Sequence, residues 1–550
     1  MSWYTGKHMW RWGFYGIAAF AGLLLVGHAL RLYLHDLADR SLPRPPADIV
    51  PARSIQRARD MSVPRRPIER SDRAGLAPAG SAVEASVHLP ALLNAGTADA
   101  IDGEYVLWAE DRATRAALLS QARAHGVQIV DQYGDMIRVR VADQERLAAL
   151  LARISGNVEL ESNIRMRVPL RDDPGESLPA PSTPYRGFGD QALAWLGISD
   201  PDPGWGQGIR VAVLDTGVQG VPVGARLDLV GQGEFGDHGA LVASILQQAL
   251  PGGDIMDVQV MSADGTGDSY TVAKGIREAV DGGANLINMS IGTRGNSRAL
   301  EEAVQHALDH NVLIVASSGN EGVERILYPA AYEGVLSVAA IDAEERHLHF
   351  SNRGEGVDLA APGVGVSIDL DTEAEPVSFS GTSAAAPFVT ASAGIALSSD
   401  GSLDVAGLRA ILEDTANDTG EPGRNTLTGK GVVSPQRIQE REESGIVDMA
   451  VLRPYFHVDD EDRAHSVSVA AQNRGTVVLP DVTMIVNING REYQLEFVDV
   501  GPGHTVAHTF PLPEDMISEG AVDVQLQAIV PNDIRPGNNQ IRKVWLPGNS

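Results

Sequence analysis

Four apolar runs constrain this chain more than any other feature. They are Ile209–Asp215 "IRVAVLD", Leu286–Gly292 "LINMSIG", Val312–Asn320 "VLIVASSGN" and Val335–Ile341 "VLSVAAI". A strand with one wet face alternates apolar and polar residues, whereas a strand covered on both faces is apolar throughout. "HGALVASILQQAL" (238–250) and "SRALEEAVQHALDHN" (297–311) carry helical periodicity between the runs. The pattern predicts an open, parallel α/β sheet over residues 186–442, with reactive groups gathered at the carboxyl ends of its strands.

The flanks read differently. Residues 99–170 give strand "YVLWA", helix "DRATRAALLSQARAHG" ending at Gly126, strands "VQIV" and "MIRVRV", helix "DQERLAALLARISG" and strand "VELESNIRMRV". That βαββαβ order is the ferredoxin-like split motif, a fold that hosts many functions. Residues 446–550 offer strands "HSVSVAAQN", "DVTMIVNI", "REYQLEFVDV" and "AVDVQLQAIV", with Asn489-Gly490 as a tight hairpin turn. They predict a small immunoglobulin-like β-sandwich. Residues 35–98 form a Pro/Arg-rich linker and residues 171–185 a second, Pro-rich one.

Charge and composition narrow the function. The net charge of −28 argues against nucleic-acid binding, because phosphate repels such a surface. Residues 1–75 hold 12 Lys/Arg against 6 Asp/Glu, which leaves −34 on the remainder. A basic neck beside a membrane and an acidic body fit this split. With no cysteine, disulfides, thiolate zinc sites and a cysteine nucleophile are excluded together. Trp12–Leu30 is an uncharged run of 19 residues, about 28 Å as a helix. Residues 1–34 are therefore read as a cytoplasmic tail and transmembrane signal anchor, with a cleavable signal as the alternative. The expected location of the body is extracytoplasmic (periplasmic or extracellular), or secreted if the segment is cut.

Four residues stand where a strand or helix meets a loop: Asp215 in "VAVLDTG", His238 in "FGDHGALVAS", Asn320 in "VASSGNEG" and Ser383 in "SFSGTSAAAPF". Singly, each has an ordinary explanation: a turn residue, a surface histidine, a second turn, a helix cap. Jointly, with their glycines, the ordinary explanations must all hold at once. A serine hydroxyl needs a base to become nucleophilic, and histidine is suited near neutral pH. Pro387 is read as lying in the first turn of the Ser383 helix, where N–H groups lack intrahelical partners.

These stretches, together with "GIRVAVLDTGV", "NLINMSIG" and "FSNRGEGVDLAAPG", resemble the subtilisin-like serine proteases (peptidase S8) through most of residues 190–440. The resemblance implies Ser383 as nucleophile, His238 as general base, Asp215 as orienting carboxylate and Asn320 as oxyanion donor. It implies that Ser290, Ile291 and Gly292 pair with the substrate backbone. Residues 99–170 then resemble a propeptide that acts as an intramolecular inhibitor, with a processing cut expected within 168–185. The sandwich resembles bacterial adhesion-type, CARDB-like modules. The implied architecture is an α/β subtilisin-like catalytic domain between a ferredoxin-like propeptide domain and an all-β sandwich. Its partners are protein or peptide substrates and, at the amino terminus, a membrane. No cofactor is implied; structural calcium is left open, and "HVDDEDR" (457–463) reads as a solvated charge run.

The chain departs from the family at Ala240, Leu241 and Ser244, and its interval from Asp215 to His238 is short. These departures motivate the rival reading, a catalytically silent, membrane-tethered binding protein. "VLDTG" also occurs in aspartic proteases, but those need a second such motif, which this sequence lacks.

Overall fold

The computed structural model describes residues 55–57, 99–109, 111–169, 184–231, 233–368, 370, 376–459, 463–513, 517 and 521–546. The Trp12–Leu30 run and most of the 168–185 segment lie outside the described residues.

The central unit holds β5 (Arg210–Asp215), β6 (Ala225–Asp228), α3 (Asp237–Ala249), β7 (Asp254–Gln259), β8 (Thr266–Asp268), α4 (Ser269–Asp281) and β9 (Leu286–Met289). It continues through α5 (Arg298–Asp309), β10 (Leu313–Ser317), β11 (Leu336–Ile341), β12 (Leu359–Pro362), β13 (Val366–Ile368), β14 (Val377–Phe379), α6 (Thr382–Ser399), α7 (Val405–Asp414) and α8 (Pro435–Glu440). Seven strands form one sheet in the order β12-β11-β10-β9-β5-β7-β6, every pair parallel. The apolar runs are explained by two cores. Val211 and Val213 face α3 and α6 in one core; Ala212 and Leu214 face α4 and α5 in the other. Each fully buried Val or Leu contributes about 1.5–3 kcal/mol, so both faces must stay covered.

Upstream lie β1 (Ala100–Ala109), α1 (Arg112–Ala122), β2 (Val127–Tyr133), β3 (Met136–Val141), α2 (Gln144–Leu151) and β4 (Val158–Arg167). Asp111 and Asp143 cap the two helices. The helix read as running to Gly126 stops at Ala122, because its last turn tightens into a 3-10 turn over Arg123–His125. The strands order as β2-β3-β1-β4, all antiparallel, and β8 of the central unit extends this sheet beside β4. One face carries Leu107, Ile137 and Val139 against Leu118 and Leu147 of its own helices. The other carries Val106, Trp108, Met136 and Met166 in the same core as Tyr270 and Ala299 of α4 and α5. The start of α5 takes a cap from β4: Glu161 accepts from Ser297 Oγ and from the Arg298 and Ala299 N–H groups at 2.7–3.1 Å. Asn163 does the same at α4, accepting from Ser269 Oγ and the Tyr270 N–H. Carboxylates at helix amino termini satisfy orphan N–H groups and complement the dipole.

Downstream, β15 (Met449–Val451), β16 (Tyr455–Val458), β17 (Ala464–Asn473) and β20 (Thr505–Pro511) make one antiparallel sheet. β18 (Leu479–Ile488), β19 (Arg491–Val500), β21 (Val522–Ile529) and β22 (Gln540–Trp545) make the other, joined at its edge by the short strand Ile55–Arg57. Val467, Met484, Phe497 and Trp545 share the core between them. Asn489 and Gly490 both take positive φ, 46° and 84°, as a two-residue hairpin turn matching the strand twist requires. Gln472 ties this unit to the central one, accepting from the Asp418 N–H at 3.0 Å and donating to Ala416 O at 3.0 Å.

Among the described residues, no helix is long and apolar enough to cross a membrane.

Candidate active site

Asp215 ends β5, fully buried, and the Thr216 N–H donates to its Oδ1 at 2.7 Å. His238 opens α3, and its Nδ1 lies 2.8 Å from Asp215 Oδ1 and 3.0 Å from Oδ2. A carboxylate only accepts, so Nδ1 carries a proton, and in the neutral ring the lone pair is then on Nε2. Thr216 fixes how the helix meets the strand: its hydroxyl donates to Gly236 O and accepts from the Gly239 N–H at 3.1 Å. Gly239 is required by that approach, since a Cβ there would lie 2.3 Å from Gly217 O and 3.2 Å from Asp215 Cβ. Phe379 stands edge-on to the imidazole at 5.5 Å. His238 Nε2 is buried, with no hydrogen-bond partner among the described residues.

Ser383 sits in the first turn of α6, which packs against α3. It does not cap its helix: Gly381 holds the cap position, and Ser383 Oγ points to Ser290 O at 3.4 Å. That contact is long for an O–H···O bond, so the hydroxyl is only weakly held. Asp215 and His238 are thus joined directly, whereas Ser383 rests in a rotamer turned toward β9.

Pro387 corrects a sequence expectation, because it falls inside α6 beyond the first turn. A proline there deprives the carbonyl four residues back, that of Ser383, of its N–H partner. Ser290 Oγ supplies the missing bond, donating to Ser383 O at 3.1 Å. Ser290 therefore braces the serine's own peptide.

Asn320 follows β10. Its Oδ1 accepts from both the Thr382 N–H and the Thr382 hydroxyl, each at 2.9 Å. This double contact turns Nδ2 outward, where it donates to Pro169 O at 2.9 Å. Thr382 is a site residue that motif reading passed over; its signal is its place directly before the serine. The "FSNRG" stretch acts from behind, with Asn352 Oδ1 accepting from the Glu321 and Val323 N–H groups.

A strand of the chain's own amino-terminal unit reaches this site. Arg165–Arg167 pairs antiparallel with Thr266–Asp268, and Arg167 exchanges two backbone bonds with Gly292, at 3.0 and 2.8 Å. The Val168 N–H donates to Gly265 O at 2.9 Å. Of the three predicted pairing residues, Gly292 makes the backbone contact, Ser290 braces Ser383 and Ile291 is buried.

Behind Asp215, Asp257 is fully buried on β7, paired with Arg226 at 3.1 Å. Burial pushes its carboxyl up to about 6. Arg226 also lies over the Phe235 ring and bonds Val218 O, closing the shortened stretch between Asp215 and His238. The departing residues do not reach the chemistry. Ala240 and Leu241 are buried, and Ser244 Oγ donates to Ala240 O of its own helix at 2.8 Å. Among the described residues, no cluster of three or more His, Asp or Glu is arranged to hold a metal ion.

The model of the subtilase family matches residues 206–431. Thermitase from Thermoactinomyces vulgaris is 34% identical over 282 residues, covering 46% of this chain and 97% of that protein. Subtilisin BL from Lederbergia lenta is 32% identical over 250 residues, covering 42% of this chain and 90% of that protein. The thermostable alkaline protease of Halalkalibacterium halodurans is 34% identical over 249 residues, covering 42% and 68%. Identity above 30% along nearly the full length of thermitase and subtilisin BL, together with the family match over residues 206–431, establishes that this chain belongs to the subtilase family of serine endopeptidases.

Proposed function

We propose that Asp215, His238 and Ser383 form the catalytic triad, and that the chain is made as a zymogen that cuts itself at the Pro169–Leu170 bond. The observation that carries this reading is the 2.9 Å contact from Asn320 Nδ2 to Pro169 O, at the end of a strand paired along the cleft. An amide donor aimed at a carbonyl oxygen is what an oxyanion site requires.

In the reaction, Ser383 Oγ swings from Ser290 O toward His238 Nε2, gives up its proton there and attacks the Pro169 carbonyl carbon. The electron pair moves to the carbonyl oxygen, which Asn320 Nδ2 and the Ser383 N–H stabilise; that N–H lies in a first turn and has no intrahelical acceptor. Asp215 stabilises the imidazolium without taking its proton. Imidazolium then protonates the Leu170 nitrogen, the C–N bond breaks, and an acyl-enzyme remains for water to hydrolyse by the same steps. Peptide substrates follow once the strand has left.

Residues 99–169 act in this reading as propeptide and inhibitor, supported by the helix caps from Glu161 and Asn163. The Trp12–Leu30 run anchors the precursor in a membrane with the body outside the cytoplasm, supported by its length and its lack of charge. The sandwich is a fixed lobe, supported by its bonds through Gln472.

Mapping of new amino termini by mass spectrometry tests the proposal. Wild type should yield a terminus at Leu170, and Ser383→Ala should accumulate uncut. Normal processing of Ser383→Ala, with no other protease present, overturns self-cleavage.

A further inference from the structure

Two backbone segments bond the stretch that ends at the proposed scissile bond and form two walls beside it. One is Ser290–Thr293, whose Gly292 pairs with Arg167; the other is Ser317–Asn320, whose Asn320 holds the Pro169 carbonyl. A single segment bridges the walls. The Leu327 N–H donates to Ser318 O at 3.1 Å, and Tyr328 exchanges two backbone bonds with Thr293, both at 2.9 Å. The Leu327 side chain, 5% exposed, occupies the space between the walls. A Cβ built on Gly292 would lie 2.9 Å from its Cδ1, and one built on Gly319 would lie 2.8 Å from its Cγ. At the rim, Arg294 Nε and Glu321 Oε1 meet at 2.8 Å and join the same walls.

We infer that Leu327 is a specificity-determining residue: it forms the floor of the pocket under the acyl-side residue and restricts that position to small side chains, of the alanine or proline class. The inference rests on the catalytic reading above. At both walls Leu327 meets a glycine, Gly292 and Gly319, with the Asn352 side chain also against Gly319, and backbone bonds on either side hold the Leu327–Tyr328 stretch. A phenylalanine or leucine entering between Gly292 and Gly319 meets the isobutyl group before it is buried. The chain's own cleft segment obeys the rule, presenting a compact proline ring at this position. A pocket filled from within rejects large side chains sterically and gains little from small ones, so discrimination appears mainly in kcat/KM of the large substrates.

The test uses the processed full chain and tetrapeptide p-nitroanilides that differ only in the residue before the anilide: Ala, Pro, Val, Leu or Phe. Wild type should show kcat/KM falling with side-chain size, with Phe at least about 100-fold below Ala. Leu327→Gly should raise the ratio of kcat/KM for Phe to that for Ala by about 10–100-fold. If that variant fails to fold, Leu327→Ala and the wild-type series carry the same decision. Phe cleaved as readily as Ala by wild type, or a Leu327 variant with an unchanged ratio, overturns the inference while the catalytic reading stands. Absence of any cleavage, with no fluorophosphonate adduct on Ser383, overturns the catalytic reading and this inference with it.

Discussion

Thr382→Val isolates the positioning of the oxyanion donor. The substitution keeps the branched shape but removes the hydroxyl that donates to Asn320 Oδ1 at 2.9 Å, leaving the Thr382 N–H bond to the same oxygen in place. One neutral hydrogen bond is worth about 1 kcal/mol net, and that amount of transition-state stabilisation is about 5-fold in kcat. The amide itself is worth far more, about 100- to 1,000-fold, so Asn320→Ala sets the scale. The same hydroxyl accepts from the Gly319 N–H at 3.3 Å. Loss of that contact affects ground and transition states alike and should appear in thermal stability rather than in kcat. The assay is kcat and KM for an alanyl p-nitroanilide with wild type, each single variant and the double variant. In the Asn320→Ala background, Thr382→Val should change kcat by less than about 2-fold, because the group it orients is gone. Equal losses in both backgrounds, or an effect confined to KM, would refute the idea that Thr382 works through Asn320.

Three further outcomes follow from the same geometry. Ser290→Ala leaves the Ser383 carbonyl without its donor and should cost about 1–3 kcal/mol in chemical unfolding, and adding Pro387→Ala should recover part of it by restoring the helical N–H. Asp257 carries a carboxyl raised from 3.8 to about 6, so its contribution to stability is present at low pH and lost as pH rises through about 6. Asp257→Asn should therefore flatten the pH dependence of melting between about pH 4 and 7, by up to about 3 kcal/mol. Glu161→Ala removes the carboxylate that accepts from the Arg298 and Ala299 N–H groups at the start of α5 and should weaken retention of the cut amino-terminal domain by about 1–2 kcal/mol, read as less of it co-eluting with the catalytic body on gel filtration.

Much of the site is legible in the sequence because its residues stand at element ends that local signals mark. The buried runs place Asp215 at a strand end and Asn320 just past one, and the Asp-His pairing is what the family resemblance implies. Pairings between distant segments leave no such trace. The bonds of Arg165–Arg167 to Thr266–Asp268 and Gly292 have no periodicity to announce them. The role of Ser290 as brace depends on a carbonyl freed by Pro387, nearly a hundred residues along the chain. Assigning Pro387 to the first turn hid that need. The strand Tyr455–Val458 is partly exposed along its whole length and pairs across a bulge, so no alternation marks it. Leu327 reads as one more apolar residue until the two glycine walls come together around it.

The most direct measurement is mass-spectrometric identification of the residue modified by a fluorophosphonate in the processed protein. The account predicts one adduct on Ser383, lost in His238→Ala and in Ser383→Ala. An unlabelled wild-type protein from which residues 99–169 have been removed, or an adduct on a different serine, would contradict it.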